Sequence, residues 1–196
     1  TISSGDQEAL DVRWFRKRDE HEPLPVAMAG VRLGNRLLAI GGADPQLIAD
    51  LARKTGLTGR VCVVEPDNDR AAHAAAAIER AGALVEMIAA PWGALPLDAD
   101  GFDVAVARDV LFTMASDARA RCLADVFRLL RSGGRIVVIE PAARSGFPSM
   151  LSRTHVDPGY YERGGATHAL TSAGFVAVRV IAERDGVVFA EGAKRG

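Results

Sequence analysis

Two glycines and one carboxylate stand where this chain could hold a nucleoside. Gly41 and Gly42 follow the apolar run 37–40, and Glu65 follows the next apolar run, 61–64. Short apolar runs of this kind are typical of buried parallel strands, and open α/β sheets bind ligands at the carboxyl ends of such strands. A glycine turn admits a ligand close to the backbone, and a carboxylate at the neighbouring tip accepts hydrogen bonds from two ribose hydroxyls. The pattern predicts a nucleoside pocket.

The segment between the two runs carries the signals of a helix. Asp44 can cap free backbone N–H groups, Pro45 is shaped for the first helical position, and Gly56 closes the segment. The same residues also fit an ordinary strand–helix–strand unit with a tight turn and a solvated Glu65. From these residues alone the two interpretations are about equal.

Length and composition indicate one globular domain. A chain of 196 residues with 48% hydrophobic and 25% charged residues can bury a core without disulfides or metal. The net charge of −1 argues against a dedicated nucleic-acid surface. Cys62 and Cys122 are expected to be small core residues, which fits a reducing cytoplasm. No apolar run is long enough to span a membrane and the first residues are polar, so we expect a cytoplasmic protein with no membrane association and no signal peptide.

Apolar runs alternate with helical patterns through most of the chain, which predicts a parallel sheet with helices on both faces. The pair Asp185-Gly186 predicts a final hairpin whose second arm returns antiparallel. The expected fold is a three-layer α/β sandwich with a mostly parallel seven-stranded sheet and a C-terminal antiparallel hairpin. The predicted strands are 37–40, 61–64, 84–88, 102–107, 135–140, 174–181 and 187–192.

The remaining segments are predicted as follows. Residues 1–29 form an N-terminal helical segment ahead of an α/β domain that covers residues 30–196. An amphipathic helix with an aromatic face at its Trp14 should pack on this domain or line an acceptor pocket, and it should end at Pro23 and Pro25. A helix with a clear apolar stripe should begin at Ser116 or Asp117 and break at the Ser-Gly-Gly of residues 132–134. Residues 142–168 are expected to be irregular, and a last helix is expected at 169–173.

Several local strings stand in a fixed order along the chain. They are the glycine-rich loop 39–44, the acidic Glu65, the Leu-Pro and Phe-Asp segments at 95–98 and 102–103, the Leu-Arg-Ser-Gly-Gly-Arg segment 130–135, and Gly174-Phe175 before the final paired strands. Together with the order of elements they resemble the class I S-adenosylmethionine-dependent methyltransferases, over roughly residues 30–193.

The resemblance implies a Rossmann-like fold, S-adenosylmethionine as cofactor and S-adenosylhomocysteine as its product. Trp92 would either cover the adenine face or plug its loop against the domain. Arg108 and Asp109 would either form an ion pair, which we favour, or touch the acceptor. The implied cofactor-binding residues are Gly41, Gly42, Ala43, Asp44, Glu65, Pro66, Ala90, Pro91, Trp92 and Arg108.

Four positions depart from the family pattern. Where the family usually has an acidic residue in the first strand, this chain has Ala39. Where the family has the middle glycine of the loop, this chain has Ala43. The position of the next glycine in the family is taken by Pro45, which has no N–H to donate. The position of the acidic residue that often contacts adenine is taken by Ala90. These departures support a second hypothesis, a degenerate member of the fold that serves as a binding or partner subunit without catalysis.

A third hypothesis is a nicotinamide-dependent enzyme that would use the same turn and the same carboxylate. The Gly-x-Gly-x-x-Gly spacing fails, because the later positions counted from Gly41 are Ala43 and Gln46. The hairpin ending also argues against this class.

Methyl transfer from a sulfonium is an in-line displacement that depends mainly on positioning in a dry site, and a base is needed only for a weakly acidic acceptor. His155 is the candidate base, unless it is a surface loop histidine, and the expected pocket walls are Trp14, Tyr160 and Tyr161. The histidines lack zinc spacing, so no metal is expected. Without a basic excess or a separate macromolecule-binding domain, the favoured partner is a small-molecule acceptor and not a nucleic acid. The oligomeric state is left open.

Overall fold

Strands and helices alternate through the structure, a computed structural model that describes residues 22–143 and 157–196. The predicted N-terminal amphipathic helix with its Trp14, and His155, lie outside the described residues. In chain order the elements are α1 (Leu24–Ala29), β1 (Arg36–Ile40), α2 (Pro45–Thr55), β2 (Arg60–Val64), α3 (Asn68–Arg80), β3 (Glu86–Ile88), β4 (Phe102–Arg108), a 3-10 turn (Leu111–Thr113), α4 (Ser116–Leu129), β5 (Leu130–Pro141), α5 (Pro158–Glu162), α6 (Gly165–Ser172), β6 (Val176–Arg184) and β7 (Val187–Ala193).

The strands form one seven-stranded sheet in the order β3-β2-β1-β4-β5-β7-β6. The neighbours from β3 to β5 pair in parallel, while β7 is antiparallel to both β5 and β6. This confirms the predicted sandwich with a mostly parallel sheet and a C-terminal antiparallel hairpin. Chain order reverses at β1, because β2 lies on one side of it and β4 on the other.

Each face of the sheet is covered by its own core. Side chains of a strand alternate between faces, so Leu38 and Ile40 pack with α4 and α6, while Leu37 and Ala39 pack with α1 and α2. Cys62 belongs to the first of these cores and is fully buried, and burial raises the pKa of its thiol to about 12. Its predicted place in the core is confirmed.

The passage from α4 to β5 differs from the prediction. The helix ends at Leu129 and the strand begins directly at Leu130, where the sequence predicted a break at residues 132–134. Phe102 pairs with Leu130 and Val104 with Arg135, so residues 131–134 bulge opposite a single residue of β4. Glycine is required in this bulge, because a Cβ on Gly134 would lie 2.8 Å from the carbonyl oxygen of residue 131.

Helices also begin where the sequence analysis placed irregular chain. Tyr160 and Tyr161 lie on α5, whose cap Asp157 accepts a 3.0 Å hydrogen bond from the backbone N–H of Gly159. The last helix begins at Gly165 and not at residue 169. The prolines expected to end a helix stand at the start of α1, with Pro23 as its N-cap. In α1 and α5 a proline occupies the first helical turn, in line with its preference for that position.

Helix α3 lies close to the glycine turn that follows β1. A Cβ built on Gly42 would stand 2.5 Å from the Cβ of Ala74 in α3. Real Cβ atoms do not approach so closely, so a side chain at position 42 would push the helix away from the turn. The structure therefore gives Gly42 a packing role in addition to any contact with a ligand.

We expect Gly42→Ala to destabilise the protein by about 1–3 kcal/mol, because the new methyl group overpacks the contact with Ala74. Urea denaturation followed by circular dichroism would show a lower midpoint. Adding Ala74→Gly should remove the overpacked contact, so the double variant should regain stability relative to Gly42→Ala. A glycine inside a helix costs roughly 1 kcal/mol of its own. The Ala74→Gly single variant measures this cost, so that it can be subtracted from the comparison. An unchanged midpoint in Gly42→Ala would contradict the close contact.

Candidate functional site

A cavity of about 1120 Å³ opens outside the carboxyl ends of the central strands. Open α/β sheets bind ligands at this place, where chain order reverses. The walls come from the glycine turn after β1, the tip of β2, helix α3, the loop after β3 and the segment after β4. Six of the predicted cofactor-binding residues line it together: Gly41, Gly42, Ala43, Glu65, Pro66 and Trp92.

The glycine turn is open toward the cavity. Gly41 has a φ of +81°, which favours glycine, and a Cβ there would meet only Val110, at 3.5 Å. Its backbone N–H donates a 2.8 Å hydrogen bond to the carbonyl of Val64, which ties the tips of β1 and β2 together. Pro45 takes the first helical position of α2, where an N–H has no partner within the helix. Its departure from the family pattern therefore costs the helix no hydrogen bond.

Charged side chains stand beside this turn. Arg108 Nη1 lies 3.2 Å from Asp44 Oδ2, and Arg108 Nε lies 3.3 Å from Asp109 Oδ2. The favoured Arg108–Asp109 ion pair is present and extends to Asp44, which also caps α2 by accepting from the backbone N–H of Leu47. Ala39, the residue that replaces the usual acid, is buried among apolar side chains. The charges next to the turn thus come from α2 and β4, and not from β1.

Glu65 is a buried carboxylate that already has protein partners. Its Oε1 accepts from Arg70 Nη2 at 2.8 Å, from Arg70 Nε at 3.0 Å and from the backbone N–H of Asp67 at 3.3 Å. From the described residues, its Oε2 accepts only a long contact, 3.5 Å from the backbone N–H of Gly42. The hydrogen bond to Glu65 raises the pKa of Arg70. The carboxylate stands where the sequence predicted it, with one oxygen taken and the other nearly free.

Arg70 was missed by the sequence analysis, although the chain contains a signal for it. Asp67 caps α3 by accepting from the backbone N–H of Arg70, so Arg70 lies in the first turn of that helix. A cation is disfavoured there by the helix dipole, so an arginine at this position calls for a nearby carboxylate. Glu65, five residues earlier, supplies it.

The loop after β3 supplies one of its three predicted residues to the cavity. Trp92 is half-buried, packs against the core beneath α4 and also lines the cavity, so its two predicted roles are compatible. Ala90 packs on the same core without lining the cavity, and Pro91 is exposed. Gly93 anchors the loop, because its backbone N–H donates a 2.5 Å hydrogen bond to Asp125 of α4.

The segment after β4 forms the opposite wall. Asp109 lines the cavity with a φ of +53°, a strained conformation for a residue other than glycine and one that clusters at functional sites. A 2.9 Å hydrogen bond from its backbone N–H to the carbonyl of Ile139 holds it there. The rest of this wall is mostly apolar and consists of Val110, Phe112, Thr113 and Met114.

The two predicted tyrosines of the acceptor wall lie behind it. Tyr160 is 2% exposed, and its hydroxyl donates a 2.7 Å hydrogen bond to Glu140, so it is a core residue and not a wall of this cavity. Tyr161 donates to the carbonyl of Pro141, and its ring centroid lies 6.0 Å from that of Phe112. Tyr161 therefore supports the wall through Phe112. The reason is the unpredicted helix α5, which turns both rings toward β5.

Glu140 is a second buried carboxyl that the sequence analysis missed. It is 4% exposed and accepts from the Tyr160 hydroxyl on Oε2 and from the backbone N–H of Ala166 on Oε1. Burial raises its pKa to about 7, although both hydrogen bonds act in the opposite direction. The available signal is an acid at the end of a strand whose preceding residues are buried on both faces.

Within the described ranges, no three His, Cys, Asp or Glu side chains converge to hold a metal ion. None of the described helices is long and apolar enough to cross a membrane.

The pKa of Glu140 predicts how stability depends on pH. Its folded pKa is about 7 against an ordinary value of 4.5, so the folded state holds the proton more tightly than the unfolded state. The stabilisation is fully present below pH 4.5 and is lost as pH rises through about 7, a change of roughly 3 kcal/mol. In Glu140→Gln the free energy of unfolding should no longer fall as the pH rises through this window. The variant should therefore be more stable than the parent at pH 8.

Urea unfolding at half-unit pH steps would measure this dependence. Glu183→Gln is the matched control, because Glu183 is an exposed acid of the same sheet and should leave the profile unchanged. A Glu140→Gln profile that is parallel to the parent's would show that Glu140 does not titrate in this window.

A family model described as a methyltransferase domain matches residues 38–138. The match begins in β1 and ends in β5. It includes the glycine turn, Glu65, Arg70 and Asp109.

Curated relatives carry the name ubiquinone/menaquinone biosynthesis C-methyltransferase UbiE. The protein from Marinomonas sp. is 28% identical over 117 residues, which are 59% of this chain and 46% of the relative. The protein from Salmonella arizonae is 29% identical over 114 residues, which are 57% of this chain and 45% of the relative. The chain thus spans about half the length of the curated relatives it matches.

Solved structures show the same fold. A SAM-dependent methyltransferase from Aquifex aeolicus superposes with a TM-score of 0.69 at 17% identity, over 86% of this chain and 87% of that one. The cyclase SpnF superposes with a TM-score of 0.67 at 18% identity, over 88% of this chain and 78% of that one. The two proteins are named for different reactions, so the shared fold does not by itself determine the chemistry.

Proposed function

This chain belongs to the methyltransferase-domain family and has the class I S-adenosylmethionine-dependent methyltransferase fold, and we propose that it methylates a small-molecule acceptor with S-adenosylmethionine. The observation that carries the proposal is the meeting of two features at one cavity. These are the open glycine turn at Gly41 and the buried carboxylate of Glu65.

The residues around the cavity fit this cofactor. The turn at Gly41 leaves room for a ligand close to the backbone, because only Val110 lies within 4 Å of the position of its missing Cβ. Glu65 would accept hydrogen bonds from the ribose, and Pro66 and Trp92 would supply apolar surface for the adenine. The methionine end would lie at the Gly41 turn, beside the paired charges of Arg108 and Asp44, which stand next to the turn and do not line the cavity itself.

When bound, S-adenosylmethionine supplies an electrophilic methyl group on a sulfonium. The protein's own work would be to hold the nucleoside at Glu65 and the methionine end at the Gly41 turn, and to seat the acceptor against the wall after β4. Such positioning supplies most of what an in-line displacement needs.

The wall after β4 supports an acceptor with an apolar or aromatic body. Phe112 and Met114 provide apolar surface, and Asp109 is the carboxylate on the same wall, able to orient or deprotonate a hydroxyl. The curated relatives are named as C-methyltransferases, which supports testing carbon as the methylated atom. His155 and Trp14 lie outside the described residues and stay predictions, as do a cytoplasmic location and the absence of a nucleic-acid partner.

A second candidate function is a binding or partner subunit without methyl transfer. Two observations favour it. The buried Ala39 stands where the family usually has an acidic residue in the first strand, and Glu65 is paired with Arg70. The superposition on a protein named as a cyclase supports the view that this fold also hosts other chemistry.

Calorimetric titration separates the two candidates. We expect micromolar binding of S-adenosylmethionine and of S-adenosylhomocysteine, with NAD giving no signal, because the turn lacks the dinucleotide spacing. A screen of phenols and enolisable acceptors with methyl-labelled cofactor would follow. If a folded sample binds neither sulfur nucleoside, the partner-subunit function takes first place.

Glu65→Ala tests the ribose site. We expect it to weaken S-adenosylhomocysteine binding by roughly 1.5–3 kcal/mol, the typical loss for hydrogen bonds to a charged group. Glu79→Ala, an exposed acid on α3, is the control and should bind as the parent does. Unchanged affinity in a folded Glu65→Ala protein would remove the ribose from this position.

A further inference from the structure

The carboxylate proposed to bind ribose is half occupied by the chain itself. Three hydrogen bonds converge on Glu65 Oε1: 2.8 and 3.0 Å from the Arg70 guanidinium and 3.3 Å from the backbone N–H of Asp67. A carboxylate oxygen offers about two lone pairs, so Oε1 is saturated. Among residues 22–143 and 157–196, Oε2 has only the 3.5 Å contact with the backbone N–H of Gly42.

A ribose diol presents two hydroxyls and binds a carboxylate best when both oxygens can accept. With Arg70 in place, only Oε2 of Glu65 is open to the sugar. Either Arg70 leaves Oε1 when the nucleoside binds, or one hydroxyl goes without its acceptor. Both outcomes weaken binding relative to a carboxylate without the arginine.

We propose that Arg70 competes with the ribose of the cofactor for Glu65 Oε1, and so sets a lower nucleoside affinity than Glu65 alone would give. This inference rests on the proposed function, because the competing ligand is the ribose of S-adenosylmethionine or of its product. It makes Arg70 a residue that determines affinity at the cofactor site.

Glu65 is buried and Arg70 is exposed, which is the difference needed if a ligand is to replace Arg70 while Glu65 stays in place. The Glu65 side chain is 10% exposed and stays in the cavity, whereas that of Arg70 is 70% exposed. The guanidinium is already mostly in water, so moving fully into solvent changes its own hydration little, while the ribose hydroxyl takes its place on the buried carboxylate. The backbone of Arg70 stays in place through its hydrogen bond to the Asp67 cap, so the side chain remains within reach of Glu65 after the product leaves.

The competition by Arg70 also affects how readily the product leaves. A product that competes with an internal cation leaves more readily, because Arg70 regains Oε1 as the ribose withdraws. Product release limits the turnover of many enzymes. Arg70 therefore trades ground-state affinity for faster release of S-adenosylhomocysteine.

The first test compares Arg70→Gln with Arg80→Gln by calorimetric titration with S-adenosylhomocysteine, which lacks the sulfonium charge. Arg80 is the matched control: it lines the same cavity on the same helix, but its Nε donates to the carbonyl of Ala76 and not to Glu65. We expect Arg70→Gln to bind about two- to fivefold more tightly, the range for an exposed ion pair, and Arg80→Gln to match the parent.

Four results would overturn the inference. Equal tightening in both variants would assign the effect to the general loss of positive charge. Weaker binding by Arg70→Gln would mean that the arginine holds Glu65 in its binding orientation. Binding by the parent with no gain in Arg70→Gln would also reject it, and would leave the proposed function intact. No binding by any folded variant would reject both.

A double-mutant cycle and the salt dependence make the test specific. In a Glu65→Gln background, Arg70→Gln should no longer change the affinity, because the competition requires the carboxylate. Raising the salt from about 0.05 to about 0.5 M should tighten binding by the parent and leave Arg70→Gln unchanged, because salt screens an exposed ion pair. Tightening that persists without the Glu65 carboxylate, or a parent insensitive to salt, would contradict the competition.

Discussion

The reversal of chain order at β1 is the constraint on which the site depends. From β1 the chain reaches β2 through α2, while β4 lies on the other side of β1. Helices α1 and α2 pack on one face of the sheet and helices α4 and α6 on the other. No crossover therefore lies over the tips of β1 and β4, and a cavity remains outside them. The glycine turn, Glu65 and Asp109 each follow one of these central strands, so a single topological feature brings them together.

The charges around that cavity are paired before any ligand enters. Glu65 is bound by Arg70, and Arg108 lies between Asp44 and Asp109. Paired charges avoid the cost of an isolated charge in a partly dry cavity. In the proposed binding mode, the ribose hydroxyls of the cofactor would replace Arg70 as partners of Glu65. Affinity is the difference between two sets of contacts, so it cannot be judged from the ligand's contacts alone.

A second polar cluster supports the cavity wall after β4 from behind. Glu140 at the end of β5 joins Tyr160 of α5 to the first turn of α6 through buried hydrogen bonds. Tyr161 lies beside Tyr160 and reaches the cavity wall through Phe112. Because buried hydrogen bonds are costly to leave unmade, this cluster fixes the short helices on the sheet and thereby the wall that Phe112 forms.

The sequence by itself determined the fold class, the order of the strands along the chain, and the positions of Gly41 and Glu65 at two neighbouring strand tips. Apolar runs, helical spacing and glycine or proline signals are local, and the rules of parallel sheets then place strand tips at one edge. The same kind of signal was present at Asp157 and was not used, which is why α5 was missed. Matching strings also indicated the family, because their order along the chain follows the order of the elements.

Only the tertiary structure decided which polar groups meet. The pairing of Arg70 with Glu65, the burial of Tyr160 against Glu140 and the contact between Gly42 and Ala74 all join residues of different elements or loops. None of these contacts has a period or a fixed spacing in the sequence, because each depends on how closely helices pack on the sheet and which way a side chain turns. A strand tip is a local property of the chain, whereas the partner of a carboxylate is a property of the packed whole.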